Sequence, residues 1–165
     1  MTEDGGCAWI FGDDINTDQL APGLYLKRPI EEISRHCLET VDPNFAAGAA
    51  LGDIIVAGRN FGLGSSREQA AEVLRHLGIR AVIAESFGGI FYRNALNFGL
   101  YAMACPDARS IKAGDRISTD PEKGTIHNLT RGETYASTPL PSELLKIVQA
   151  GGLLPFLEKM TRREP

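Results

Sequence analysis

The length and composition of the chain point to one globular domain. Its 165 residues are 43% hydrophobic and 23% charged, with a net charge of −4, so a core can form without disulfides or a structural metal. No run of Lys or Arg provides a nucleic-acid surface. No apolar stretch approaches the roughly 20 residues that span a bilayer, and the N-terminus lacks the basic start of a signal peptide. Widely spaced cysteines in odd number, Cys7, Cys37 and Cys105, predict reduced thiols in a cytoplasmic protein that binds no metal or iron–sulfur centre of its own.

The first two-thirds of the chain alternate short apolar strands with helical segments. A strand at 8–11 is followed by a polar stretch, 12–18, and an extended loop, and a helix is predicted over 30–38. Further strands are predicted at 53–57, 81–84 and 101–105, and helices from Ser65 to Gly78 and from Ser86. Helical spacing of apolar residues and a terminal glycine support the helix before Gly78. This alternation predicts a parallel, right-handed β-α-β core.

The pattern changes after Pro106. Short alternating segments at 116–119, 125–129 and 134–137 are separated by turns, which predicts a small antiparallel addition. Two amphipathic helices, 141–149 and 153–160, are predicted to close the chain. There is no internal repeat or linker. We therefore expect an α/β fold in a single domain over 1–165, with a core at about 7–105 and additions at about 106–165.

The most informative segment, GRNFGLGSSRE (58–68), lies between a predicted strand and a helix start. The first N–H groups of a helix lack partners, and the helix dipole favours negative charge there. Gly62 and Gly64 permit close approach of the backbone to a ligand, and Arg67 can bind a carboxylate through two hydrogen bonds. The spacing does not match a P-loop, a dinucleotide fingerprint or a hydrolase elbow. The segment therefore predicts a small-anion site of another type.

A purely structural alternative exists for the same segment. Ser65 with Glu68, or Ser66 with Gln69, has the spacing of a capping box, in which the side chains only complete the hydrogen bonds of a helix start. Two adjacent serines allow one to cap the helix while the other stays free. The residue types alone leave both interpretations open.

Other polar residues are weaker candidates. The acidic segment 13–18 lacks the Gly and the distant Glu of a Ca²⁺ loop, and a turn rich in side-chain-to-backbone hydrogen bonds is the alternative. His36, His76 and His127 have no serine or metal ligand at a suitable spacing. A hydrolytic triad is therefore not supported.

Three segments resemble a known family in order and spacing. They are GDDINTDQLAPGLYL (12–26), GDIIVAGRNFGLGSSREQAAEVLRHLGI (52–79) and AVIAESFGGIFYRNALNFGL (81–100). The chain resembles the small subunits of isopropylmalate dehydratases, which are similar to the swivelling domain of aconitase. The resemblance implies a swivelling β/β/α domain. It also implies a hydro-lyase that isomerises 2-isopropylmalate and 3-isopropylmalate in leucine biosynthesis by dehydration and rehydration.

The resemblance also implies roles for particular residues. Ser65 matches the serine that acts as the base and removes the carbon-bound proton of the substrate. Ser66 and Arg67 match positions that bind the substrate carboxylate, and Thr17 and Asp18 match a pair that faces the active site. The Lewis acid of the family is a [4Fe–4S] cluster on a large subunit, so we expect activity only in a heteromer with that partner.

Substrate choice depends on the loop after Tyr25 and Leu26, which helps relatives discriminate the substrate side chain. Lys27 and Arg28 occupy that loop here. A cation would favour an extra carboxylate, as in homoaconitase-type relatives, unless the side chains face water. The alternatives to an isopropylmalate dehydratase subunit are a homoaconitase-type subunit, a dimethylmalate-dehydratase-type subunit and a non-catalytic carboxylate-binding module.

Overall fold

A computed structural model of the chain describes residues 5–162. Residues 1–4 and 163–165, the two ends of the predicted 1–165 domain, lie outside the described residues. They include the start of the segment predicted to lack a signal peptide. Seven strands form one sheet in the order β4-β3-β2-β1-β5-β6-β7. They are β1 Gly6–Ile10, β2 Ile54–Ala57, β3 Ala81–Ala84, β4 Tyr101–Ala104, β5 Arg116–Asp120, β6 Thr125–Asn128 and β7 Glu133–Ala136.

Strands β1 to β4 run parallel, with Ile54 of β2 paired to Ala8 on one side and Ala81 on the other. All residues of β2 and β3 are buried, as expected for parallel strands covered on both faces. The predicted parallel β-α-β core is confirmed.

Strands β5 to β7 extend the sheet in antiparallel fashion from β1. After β7 the chain returns to the opposite edge, where the Thr138 N–H donates to the Ala104 carbonyl at 3.2 Å. Ile117 of β5 and Ile126 of β6 consequently pack in one buried cluster with Ile83 of β3. The antiparallel strands thus cover one face of the parallel strands, and the predicted β/β/α layering is confirmed.

Helices cover the other face of the parallel strands. The helices are α1 Thr17–Leu20, α2 Ile30–Arg35, α3 Phe45–Gly48, α4 Gln69–His76, α5 Gly89–Asn97, α6 Ser142–Gln149 and α7 Leu153–Arg162, with short 3₁₀ turns at Gly23–Tyr25 and Ala108–Ser110. The main core lies between these helices and the sheet and contains Phe45, Phe61 and Phe91. Leu145 and Val148 of α6 join Leu96 of α5 in a smaller cluster.

Two predicted helix starts were wrong. Helix α4 begins at Gln69 instead of Ser65, because Gly64 has φ +113° and the Arg67 N–H donates to the Ser65 carbonyl in a tight turn. Helix α5 begins at Gly89 instead of Ser86. Phe87, which follows Ser86, forms a β-bridge with Phe61 and keeps the chain extended.

The helix predicted over 30–38 ends at Arg35. Leu38 has φ +59° and its N–H donates to the Gln19 carbonyl at 2.8 Å, so tertiary contacts redirect the chain. Helices α1 and α3 were not predicted. The first lies in a segment that the sequence analysis assigned to a polar stretch and an extended loop.

Candidate active site

Three loops meet at the carboxyl ends of β1, β2 and β3, the edge at which open parallel sheets bind ligands. The first loop is 11–16, the second is 58–68 and the third is 85–88. The Asp14 N–H donates to the Arg59 carbonyl at 2.8 Å, joining the first loop to the second. The Phe61 N–H donates to the Ser86 carbonyl at 3.0 Å, joining the second loop to the third. The Ser86 hydroxyl also accepts a hydrogen bond from the Asn60 N–H at 2.9 Å. The loops therefore form one connected platform.

Glycines permit this close packing. Gly62 has φ +82°, and a Cβ atom there would lie 2.2 Å from Cγ of Phe91. A Cβ atom at Gly88 would lie 2.8 Å from the Gly62 carbonyl oxygen. Gly62 therefore lets the second loop pack on Phe91 of α5, and Gly88 lets the third loop touch the second.

Ser65 and Ser66 lie exposed between this platform and α4. Within residues 5–162 neither hydroxyl has a hydrogen-bond partner. Helix α4 has Glu68 at its N-cap position and no side-chain capping bond. The capping-box alternative was therefore wrong, and both hydroxyls remain available to a ligand.

Arg67 and Asp18 form the central ion pair of the site. Nη1 of Arg67 donates to Oδ1 of Asp18 at 2.6 Å and to the Ala21 carbonyl at 3.0 Å, and the Gly23 N–H donates to the same carboxylate oxygen at 3.0 Å. The hydrogen bond from Arg67, followed by that from Gly23, lowers the pKa of Asp18 below its ordinary value. Nε and Nη2 of Arg67 have no partner among the described residues. One edge of the guanidinium is thus fixed, and its other donors can bind an anion.

Thr17 lies beside the second loop, which carries Ser65 and Ser66. Its N–H donates to the Leu63 carbonyl at 2.9 Å, and a Cβ atom at Gly64 would lie 3.1 Å from the Thr17 hydroxyl oxygen. Together with the Arg67–Asp18 pair, this contact joins the two predicted site segments, which are far apart in the sequence.

Within residues 5–162, no hydrogen bond or ion pair joins Lys27 or Arg28 to Thr17, Asp18 or the serines and arginine at 65–67. Lys27 is exposed, and Nε of Arg28 lies 4.0 Å from Oε1 of Glu32 in a surface pair. Their segment is anchored by Tyr25, whose ring stacks on His36 with centroids 3.7 Å apart.

The histidines make local contacts. Nδ1 of His36 lies 2.7 Å from a carboxylate oxygen of Glu39, and Nδ1 of His127 lies 3.2 Å from the Thr134 hydroxyl.

The acidic segment 13–18 forms the predicted turn rich in side-chain hydrogen bonds. The Asn16 side chain accepts from the Gln19 N–H at 2.8 Å, and the Gln19 side chain accepts from the Asn16 N–H at 2.9 Å. This is a capping box that starts α1. The Asn-x-x-Gln spacing was a signal that could have predicted it.

A charged network that the sequence did not predict lies beside the platform. The Asp13 carboxylate accepts hydrogen bonds from the Arg59 N–H at 2.7 Å and from Nη2 of Arg109 at 2.6 Å. These bonds, the backbone one first, lower the pKa of Asp13 to about 2. Arg109 also pairs with Glu85. No motif spacing indicates Arg109, which lies 96 positions from Asp13.

The cysteines do not fit an iron–sulfur cluster. Cys37 and Cys105 are buried in different clusters on opposite faces of the sheet, and burial raises the pKa of both thiols, which disfavours the thiolate that binds iron. Residues 5–162 contain no group of three or more His, Cys, Asp or Glu side chains placed to hold a metal ion. None of the helices described there is both long and apolar enough to cross a membrane.

Comparison with known proteins places this fold and site in a class. The family model described as the Aconitase C-terminal domain matches residues 19–108. The 3-isopropylmalate dehydratase small subunit of Moorella thermoacetica is 48% identical over 92% of this chain and 93% of its own length. Small subunit 1 of the same enzyme from Archaeoglobus fulgidus is 47% identical over 96% of this chain and 99% of its own length.

A solved structure agrees with these relatives. A crystal structure of 3-isopropylmalate dehydratase from Methanocaldococcus jannaschii superposes with a TM-score of 0.89 at 42% identity, covering 95% of this chain and 94% of that one. The chain therefore belongs to the family of 3-isopropylmalate dehydratase small subunits, within the Aconitase C-terminal domain class. The family predicted from the three sequence segments is confirmed.

Proposed function

We propose that this chain is the small subunit of a 3-isopropylmalate dehydratase, a hydro-lyase that interconverts 2-isopropylmalate and 3-isopropylmalate in leucine biosynthesis. The names of the relatives, at 48% and 47% identity over most of the chain, support the reaction. The observation that carries the proposal for this chain is the free Ser65 hydroxyl, two residues from an arginine whose orientation Asp18 fixes.

Ser65 is the proposed base. A serine hydroxyl is a weak base in water, so it must act as an alkoxide stabilised by positive charge. Arg67, two residues away, is the proposed source of that charge, and the N–H groups of Ser66 and Glu68, which have no acceptor within residues 5–162, are further possible donors. The alkoxide would remove the carbon-bound proton, the C–H electron pair would form the double bond, and the hydroxyl group on the neighbouring carbon would leave as hydroxide, which the Lewis acid of the large subunit would accept.

Arg67 and Ser66 are the proposed carboxylate ligands. The unbonded Nε and Nη2 atoms of Arg67 match the two oxygens of a carboxylate. Asp18 holds the opposite edge of the guanidinium, and the Thr17 hydroxyl, without a partner in the described part of the chain, faces the second loop. The substrate carboxylate would therefore be fixed beside Ser65.

The iron–sulfur cluster belongs to a large subunit in this proposal, because the cysteines of this chain do not fit one. The small-subunit designation of the relatives supports a heteromer with such a partner. The steps assigned to this chain are proton removal and carboxylate binding. We place the complex in the cytoplasm, where the reduced thiols Cys7, Cys37 and Cys105 would persist.

Lys27 and Arg28 are the proposed readers of the substrate side chain. Both are exposed on the segment that follows the 3₁₀ turn Gly23–Tyr25, and Gly23 itself contacts the Asp18–Arg67 pair. A cation facing the substrate would favour a carboxylate-bearing side chain over an isopropyl group. A homoaconitase-type substrate, which carries such a carboxylate, is therefore one alternative. A dimethylmalate-type substrate, which carries only methyl groups, is a second alternative that the cations do not favour.

A substrate panel tests the proposal. The chain is co-produced with its large subunit, the cluster is rebuilt anaerobically, and formation of the unsaturated acid is followed from 3-isopropylmalate, homoisocitrate and 2,3-dimethylmalate. We expect the highest kcat/KM for 3-isopropylmalate. A higher kcat/KM for the tricarboxylate homoisocitrate would assign the chain to the homoaconitase type instead. Loss of that preference in Lys27→Ala would identify Lys27 as the residue that reads the extra carboxylate. No turnover of any hydroxy acid by a cluster-loaded complex would refute the proposed function.

A further inference from the structure

We propose that Arg109 and Asp13 are positioning residues that hold the active-site loops in register. The Arg109 guanidinium binds Asp13 of the first loop and Glu85 of the third, and the second loop lies between them. The catalytic consequence rests on the proposed function, whereas the effect on the loops does not.

Asp13 is fixed from three directions. Its Oδ1 atom accepts from the Arg59 N–H at 2.7 Å and from Nη2 of Arg109 at 2.6 Å, and its Oδ2 atom lies 3.5 Å from Nη2 of Arg59. A Cβ atom at Gly58 would lie only 2.0 Å from Oδ1. The carboxylate therefore occupies space that any side chain at position 58 would take.

Glu85 is the second carboxylate that Arg109 binds, so that Asp13, Arg109 and Glu85 form a bridge between the first and third loops. Its N–H donates to the Gly58 carbonyl at 3.0 Å, and its carboxylate pairs with Nε of Arg109. Arg109 comes from the 3₁₀ turn after β4, outside the three loops. One guanidinium from a separate element thus ties the first and third loops across the base of the second.

The bridge lies close in sequence to the reacting groups. Asp13 precedes Thr17 by four residues, and Arg59 precedes Ser65 by six. Two hydrogen bonds connect the loops between the bridge and these reacting groups. The Asp14 N–H donates to the Arg59 carbonyl, and Nδ2 of Asn60 donates to the Asp14 carboxylate at 2.9 Å. Because a misplacement of about 1 Å can cost about 10²-fold in rate, loosening these loops should lower kcat.

Global stability should respond much less. The Arg109 side chain is 59% exposed, and exposed ion pairs stabilise a fold only weakly because water and salt screen them. If Arg109 acts by positioning the loops, its removal should therefore lower activity without a comparable loss of folded protein.

The experiment compares Arg109→Ala, Arg109→Lys and Asp13→Asn in the complex with a saturating amount of large subunit. The matched control is Arg131→Ala, which removes a guanidinium–carboxylate pair with Asp115 at 2.9 Å. That pair lies near the start of β1, since the Ala8 N–H bonds to the Asp115 carbonyl. We expect Arg109→Ala to lower kcat at least about tenfold with KM changed less than about threefold. Arg109→Lys should recover part of the loss, and Arg131→Ala should keep the wild-type kcat.

Amide hydrogen exchange on the isolated chain gives a readout that needs no activity. In Arg109→Ala the Asp14 and Gly62 N–H groups, which bond across the loops, should exchange at least about tenfold faster, with the buried amide of Val82 unchanged. Unchanged kcat, unchanged exchange, or an equal loss of kcat in Arg131→Ala would each overturn the proposal. An inactive wild-type complex would refute the proposed function and not the positioning role. In that case hydrogen exchange would still test the positioning role, which unaltered exchange of the Asp14 and Gly62 N–H groups in Arg109→Ala would overturn.

Discussion

Replacing Gly62 with alanine should destabilise the fold through two separable effects. The first is backbone strain, because φ at this position is +82° and a left-handed conformation costs a non-glycine residue about 1–2 kcal/mol. The second is overpacking, because the new Cβ atom would lie 2.2 Å from Cγ and 2.4 Å from Cβ of Phe91. Phe91 is 2% exposed and cannot swing into solvent, and overpacking a core costs about 1–3 kcal/mol. The total expected loss is about 2–5 kcal/mol.

Urea unfolding measures this loss. With a slope of about 2 kcal/mol per M, a loss of about 3 kcal/mol lowers the midpoint by about 1.5 M. Gly132→Ala is the control for backbone strain alone, since φ is +67° and no atom lies within 4 Å of its Cβ position. Gly12→Ala has open space and no positive φ, so it should change stability by less than about 0.5 kcal/mol.

The comparison isolates the contact with Phe91. We expect Gly62→Ala to lose at least about 1 kcal/mol more than Gly132→Ala. Equal losses in the two variants would refute the reasoning, because the packing of the second loop on α5 would then contribute nothing.

The remaining predictions concern two carboxylates. The pKa of Asp13 is lowered to about 2 from 3.8, so this group stabilises the fold above its unfolded pKa and the stabilisation is lost as pH falls through the folded value. Urea midpoints of Asp13→Asn and wild type should therefore differ at pH 6 and converge between pH 4 and pH 2; a difference that persists at pH 2 would contradict the assignment. Asp53, which is 6% exposed, accepts hydrogen bonds from the Trp9 indole at 2.9 Å and from the N–H groups of Ala50 and Cys7. Asp53→Ala should cost about 1–3 kcal/mol by leaving part-buried donors unpaired, with a shift in the fluorescence of Trp9, the single tryptophan; an unchanged urea midpoint would show that water replaces the carboxylate.

Local patterns predicted most of the fold. The strand at Ala81–Ala84 was predicted with its observed bounds because an apolar run between turn residues is also a buried strand in the structure. The antiparallel segments after Pro106 were also predicted. Burial alternates along β6, as in a sheet with one buried face, whereas three consecutive residues of β5 are buried. These features depend on residues that are neighbours in sequence.

Features set by tertiary contacts were not predicted. Ser65–Glu68 and Asn16–Gln19 have the same capping spacing, yet only the second forms a capping box. Gly64 takes a positive φ, so the residues just before α4 are not helical. The helix propensities of Ser65 and Ser66 do not indicate this turn. The pairing of Arg109 with the first and third loops is equally nonlocal. The serines and Arg67 were predicted to form a site, and the structure adds that Asp18 fixes the arginine while the serine hydroxyls remain free.

The most direct test of the account is the activity of Ser65→Ala in the reconstituted complex. The proposal makes Ser65 the proton acceptor, so kcat for dehydration of 3-isopropylmalate should fall by at least about 10²–10⁴-fold. Binding of the substrate, measured by calorimetry on the same complex, should change less than about threefold, because Arg67 and Ser66 remain. Activity within a few-fold of wild type would contradict the account and leave this loop as a carboxylate-binding site without a catalytic base.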